Sequence, residues 1–237
     1  MARNATQAET PHDETKQGRL RARPHSPTLD AVEHGVHPLG LGGKRDGLLY
    51  VPKGYRADQP SPLVVMLHGA GGNARNSLGL WQKVADEAGL LLLVPESRGP
   101  SWDIIVDDGY GPDVAFIDRA LAYVFDRYAV NPERIALSGF SDGASYALSL
   151  GLTNGDLFSH VVAFSPGFLA PASQRGEPAL FISHGVKDEV LRIGPCSRRI
   201  VPLVQGAGYE VRYREFDGPH TVPADITREA LTWFTAQ

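Results

Sequence analysis

The feature that most constrains this 237-residue chain is a series of short, unbroken apolar runs, most of them ending on glycine or serine. They read PLVVMLHG (62–69), LLLVPES (91–97), RIALSG (134–139), HVVAFS (160–165) and ALFISHG (179–185). A strand with one wet face alternates apolar and polar residues. A run without alternation is buried on both faces, as in a parallel sheet held between two layers of helices. The intervening stretches have helical spacing. Leu78, Trp81, Val84, Ala85 and Ala88 precede Gly89, and Val114, Ile117, Leu121, Val124 and Tyr128 follow Pro112. A helix over 142–153 and a last one with Ile226, Ala230, Trp233 and Phe234 inward complete the pattern. Ser77 reads as the N-cap of the first of these helices, and Pro195 as the start of another. DGLLYVPKGY (46–55) and EVRYREF (210–216) add strands, and NPER (131–134) reads as a turn. Strands alternating with helices predict an α/β fold in one domain over 36–237, a mostly parallel sheet with helices on both faces. Residues 1–35 are polar and aperiodic and read as a flexible or surface-draped arm.

Several classes are set aside by composition. The formal net charge of −4 argues against a nucleic-acid surface. No apolar run approaches the roughly 20 residues needed to cross a bilayer, and the first residues contain no apolar signal segment. The expectation is a soluble cytoplasmic protein with no membrane partner; nothing in the sequence sets an oligomeric state. Cys196 is the single cysteine, which excludes an intrachain disulfide framework and a cysteine-based zinc site. Asp107, Asp108 and Asp113 read as a solvated face with one helix-N-terminal aspartate rather than as a metal site.

Chemistry concentrates where the runs end. Gly139-Phe140-Ser141-Asp142-Gly143 lies at a strand-to-helix junction, where a tight turn lifts a serine hydroxyl above the sheet edge. Glycine is required two residues to either side, because a Cβ there meets the neighbouring strand and helix. A nucleophilic serine needs a base, and the base an orienting carboxylate. Of the histidines after Ser141, His160 precedes its strand. His184 ends a strand but lacks a suitable acid upstream, and reads as a structural residue. His220, in FDGPHTVP, follows the last strand, with Asp188 and Glu189 upstream in SHGVKDEVL; the shorter Asp188 suits the tight loop better. In LHGAGG (67–72), successive glycines let main-chain N–H groups converge, so the Ala70 and Asp142 N–H groups are the candidate oxyanion donors. His68 reads as a shaping residue. Trp102, Phe140 and Phe168 are candidates for an apolar substrate wall.

Gly69-Ala70-Gly71-Gly72-Asn73-Ala74 also satisfies G-x-G-x-x-A, with Glu96 ending the next strand, a pattern that would suit a dinucleotide-binding oxidoreductase. That reading leaves Ser141, Asp188 and His220 without a purpose. A binding scaffold descended from an enzyme would show a broken set, and this one is intact. LHGAGG, GFSDGAS, SHGVKDEVL and GPHTVP together resemble the α/β-hydrolase superfamily, in its small phospholipase/carboxylesterase-like branch of serine esterases, feruloyl esterases and polyhydroxybutyrate-depolymerase-like proteins. The resemblance covers about 36–236 and places the triad on Ser141, Asp188 and His220. It implies a carboxylesterase acting on short-chain or small aromatic-acid esters, with no cofactor or metal. The alternative within the branch is an acyl thioesterase or lysophospholipase, because Asp142 stands where thioesterase-type relatives carry Gln. Only PGFLAPASQRGEP separates two of the strands where larger hydrolases insert a lid, so no lid domain is expected.

Overall fold

A computed structural model of the chain describes residues 11–31, 33–107 and 109–236. Residues 1–10 of the arm and Asp108 of the acidic run lie outside the described residues. The elements are α1 (Pro11–Lys16), β1 (Gly35–Pro38), β2 (Gly47–Val51), β3 (Ser61–Leu67), α2 (Ala74–Ala88) and β4 (Leu91–Pro95). There follow α3 (Asp103–Val106), α4 (Pro112–Arg127), β5 (Val130–Phe140), α5 (Asp142–Thr153) and β6 (His160–Phe164). The chain closes with β7 (Ala179–Gly185), α6 (Ser197–Gly206), β8 (Val211–Phe216) and α7 (Ala224–Thr235).

The strands form one eight-stranded sheet in the order β1-β2-β4-β3-β5-β6-β7-β8. The β1–β2 and β2–β4 pairs are antiparallel; every other pair is parallel. The unbroken apolar runs are central strands with a core on each side. Leu63, Val65, Leu67, Ile135 and Leu137 face the core under α4, α5 and α6. Val64, Met66, Ala136 and Phe164 face the other, under α2 and α7. Strict alternation of side-chain direction along each strand produces this division.

Several local expectations shift. The first long helix starts one turn early: Asn73 is its N-cap and accepts the Asn76 N–H at 3.0 Å, so Ser77 lies inside the first turn. Ala74 is already buried there, which extends the apolar face toward the N-terminus. Gly89 closes that helix in the left-handed conformation, at φ 62°. Helix α6 starts at Ser197, after Pro195, and NPER is extended chain inside β5. Described residues of the arm lie against the body: Leu20 is buried in the core, and the Arg19 and Arg23 guanidinium groups bind Asp156 at 2.8 and 2.6 Å.

Candidate active site

Three loops at the carboxyl ends of β5, β7 and β8 meet. Ser141 follows β5 with φ 57° and ψ −121°, one of two non-glycine residues with positive φ among those described. Such a backbone is strained for a residue with a Cβ and persists only where its surroundings enforce it. Here the packing leaves no alternative. A Cβ on Gly139 would lie 2.0 Å from the Gly143 carbonyl oxygen, and one on Gly143 would lie 2.4 Å from that of Leu67. The glycines let β3, β5 and α5 approach closely around the serine, as the motif requires.

The loop after β7 and the loop after β8 are bound to one another. Val186 N–H donates to Phe216 O, and Lys187 N–H to Gly218 O at 3.0 Å. A Cβ on Gly185 would lie 2.3 Å from Gly218 O. This contact brings Asp188 to His220. The His220 Nδ1–H donates to Asp188 Oδ2 at 2.5 Å, and Ser141 Oγ–H donates to His220 Nε2 at 2.9 Å. Asp188 Oδ1 accepts the N–H groups of Val190 and Leu191, at 2.9 and 2.8 Å. Burial alone would raise the Asp188 pKa; the His220 bond and the Leu191 N–H outweigh it and hold the carboxyl below its ordinary value. Glu189 is exposed.

The glycine loop after β3 lies against the serine, with Ser141 Cβ 3.3 Å from where a Gly69 Cβ would stand. Asp142 opens α5, and the first N–H of a helix has no intrahelical acceptor. The Ala70 N–H is likewise absent from the main-chain pairings around it, in which Gly71 N–H donates to Pro100 O and Gly72 N–H to Gly69 O. His68 shapes this loop. Its Nδ1–H donates to Gly69 O at 2.7 Å, and its Nε2 accepts the Ser97 N–H at 3.0 Å. Burial holds its pKa below the ordinary value, which suits a neutral ring with one donor and one acceptor.

Trp102 requires a correction. It does not line the cleft: it is fully buried, its Nε1–H donates to His68 O at 2.8 Å, and its ring stacks on Tyr146 at 5.1 Å. An indole with both its N–H and its face satisfied inside the protein is a prop behind the glycine loop. Phe140 and Phe168 are half-buried. The Phe140 ring lies 4.7 Å from that of His220, and the Phe168 N–H is directed at Ser145 Oγ, 3.4 Å away. Asp113 is also not on a solvated face. It is buried against Asp103, and burial pushes its pKa up to about 6. Asp113 Oδ2 accepts the Asp103 N–H and Asp103 Oδ2 the Asp113 N–H, which braces the 97–111 segment.

Three residues escaped the sequence analysis. Arg45 donates to Gly72 O at 2.9 Å and also contacts His68. Ser101 Oγ–H donates to Asp142 Oδ2 at 2.5 Å, and Ser145 Oγ accepts the Gly167 N–H at 2.9 Å. Only Ser145 carried a signal, its i+4 spacing from Ser141 on α5. Glu96 does not serve a ribose: Oε1 accepts the Ala74 N–H at the start of α2, putting a carboxylate where a dinucleotide pyrophosphate would need to sit. No group of three or more His, Cys, Asp or Glu able to hold a metal occurs among the described residues, and none of their helices is long and apolar enough to cross a membrane.

Residues 115–193 match the Esterase family. The feruloyl esterase C of Emericella nidulans is 28% identical over 155 residues, which is 62% of this chain and 56% of that protein. The chain spans less than two thirds of the length of the feruloyl esterases it matches. Among solved structures, esterase PE8 superposes with a TM-score of 0.62 at 24% identity, over 81% of this chain and 98% of the other. A ferulic acid esterase from Anaeromyces mucronatus, solved with ferulic acid, gives 0.62 at 18% identity over 90% and 94%. On its sheet topology and on these superpositions, the chain has the α/β-hydrolase fold and is similar to esterases of that fold.

Proposed function

We propose that the protein is a serine carboxylesterase that hydrolyses short-chain or small aromatic-acid esters through an acyl-enzyme. The observation that carries this reading is the hydrogen-bonded line from Ser141 Oγ through His220 to Asp188, with the serine on a strained strand-to-helix turn. His220 Nε2 takes the hydroxyl proton as Ser141 Oγ attacks the ester carbonyl, and Asp188 holds the imidazole in the Nδ1–H tautomer and stabilises its cation. The Ala70 and Asp142 N–H groups receive the tetrahedral oxyanion, aided by the N-terminal end of the α5 dipole. The imidazolium then protonates the leaving alcohol, and a water deprotonated by His220 cleaves the acyl-enzyme. None of these steps calls on a cofactor or metal. The feruloyl esterase relatives support the aromatic-acid arm of the substrate range, and Phe140 and Phe168 are its candidate apolar contacts. Trp102 has no part in that wall.

Acyl and methyl ferulate esters assayed beside Ser141→Ala test the reading. A fluorophosphonate should label the native protein at Ser141 and leave the variant unlabelled. Full labelling of Ser141→Ala would move the nucleophile elsewhere. Among p-nitrophenyl esters, acetyl to hexanoyl chains should be preferred over palmitoyl, since no helix covers the segment between β6 and β7.

A further inference from the structure

Beside Asp188 lies a second histidine that the proposed chemistry does not use. His184 is the penultimate residue of β7 and is fully buried. Its Nε2 is 2.6 Å from Leu191 O and 3.2 Å from Asp188 Oδ2, and its Nδ1 is 2.7 Å from the hydroxyl of Ser197, the first residue of α6 and also fully buried. A carbonyl oxygen accepts and cannot donate, so Nε2 carries the proton and Nδ1 is bare. The Ser197 hydroxyl then donates to Nδ1, which fixes the tautomer.

We propose that His184, locked by Ser197, is a positioning residue for the carboxylate of Asp188. This rests on the reading of Ser141, His220 and Asp188 given above. Two main-chain N–H groups hold Oδ1, but they come from the same tight loop and turn with it. His184 ties that loop to the sheet: its Nε2–H donates to Leu191 O, in the loop, and the same nitrogen lies 3.2 Å from Asp188 Oδ2, the oxygen that also serves His220. A strand end cannot follow the loop's motion, so the carboxylate keeps its aim at His220 Nδ1. The ring must be neutral for this. A cation 3.2 Å from Asp188 would compete with His220 for the same charge, and burial holds the His184 pKa below its ordinary value. The other titratable groups around the line are few. Glu215, the β8 partner of His184 in register, is held by Arg198, and the Cys196 thiol is pushed up by burial. Lys187 is exposed and paired with Asp217.

The test compares kcat, KM and the pH–rate profile of His184→Leu, His184→Gln and Ser197→Ala with those of the native enzyme and Asp188→Asn. Misplacing a catalytic group by up to about 1 Å costs about 10- to 100-fold. His184→Leu should lose that much kcat at unchanged KM, with the acidic limb moved to higher pH because Asp188 then gives more of its charge to His220. The far-downfield proton resonance of the His220 Nδ1–H should shift with it. His184→Gln, which restores an N–H near the Nε2 position, should recover most of the loss. Ser197→Ala should shift kcat and the limb the same way by a smaller factor. A folded His184→Leu with native kcat and acidic limb would overturn the proposal. If that variant does not fold, native behaviour of Ser197→Ala does so instead. Should Asp188→Asn itself keep native kcat, the underlying assignment of the acid fails, a different outcome from failure of His184 alone.

Discussion

The loops at the carboxyl edge of the sheet and the N-terminal arm after α1 are both irregular chain, yet they are held by different means. Around Ser141 the polar groups are buried or half-buried and turned on one another: Asp188 receives the His220 imidazole with His184 3.2 Å away, Asp142 a serine hydroxyl, and Asp103 and Asp113 each other's main-chain N–H. The backbone is strained, and close approach is possible only at glycine. The arm attaches as a surface does, by one buried leucine, by the Leu20 and Gly18 bonds to the Asn154 side chain, and by guanidinium–carboxylate pairs around Asp156. The difference teaches where function and stability separate. A change at the edge should act on kcat, on stability where a glycine contact is lost, and a change in the arm on unfolding free energy alone.

The sharpest test is Asp188→Asn. It should lower kcat by up to about 10⁴-fold by favouring the wrong His220 tautomer, while Glu189→Gln, on an exposed side chain, stays within twofold. The reverse ranking moves the acid by one residue. Next, Gly139→Ala should cost about 3 kcal/mol or more in urea unfolding, since its Cβ would fall inside the Gly143 carbonyl. Gly79→Ala, in the middle of α2 with nothing within 4 Å of the added carbon, should stabilise by about 0.5–1 kcal/mol.

On the arm side, Leu20→Ala should cost about 2–3 kcal/mol by leaving a cavity, with kcat/KM on a soluble ester unchanged. A tenfold loss of kcat in a folded Leu20→Ala protein would break the comparison. The smallest effect belongs to Asp156→Asn. The Arg19 hydrogen bond, above all, lowers the Asp156 pKa to about 2 from 3.8. A depressed carboxylate contributes stability that is full above the unfolded value and is lost as pH falls from 3.8 toward 2. Its side chain is 38% exposed, so solvent screening limits the loss to about 1 kcal/mol at pH 7. Urea midpoints of the two proteins should converge as pH approaches 2.

Much was legible in the sequence because it depends on period and local chemistry. The apolar runs are the central strands, and α5 spans 142–153 as its pattern predicts. Gly139 and Gly143 are where a Cβ is forbidden, and Asp188 rather than Glu189 meets His220. Other features were not legible, because they depend on which surfaces meet. Trp102 follows a strand end like a cleft aromatic, and only its packing against Tyr146 and His68 makes it interior. Asp113 looks like a helix-N-terminal surface charge until Asp103 closes over it.

By itself, then, the sequence determined the strand-and-helix alternation, the two-faced sheet and the residue types at each strand end. These follow from short-range sterics and from the need to bury unbroken apolar runs. The tertiary structure alone decided that Arg45 holds the glycine loop, that Ser101 binds Asp142, and that Ser197 holds His184 beside Asp188. Each joins segments far apart in the chain or across a loop, through a polar side chain with no periodicity of its own. Such a residue finds its partner only once the sheet has set the distance between them.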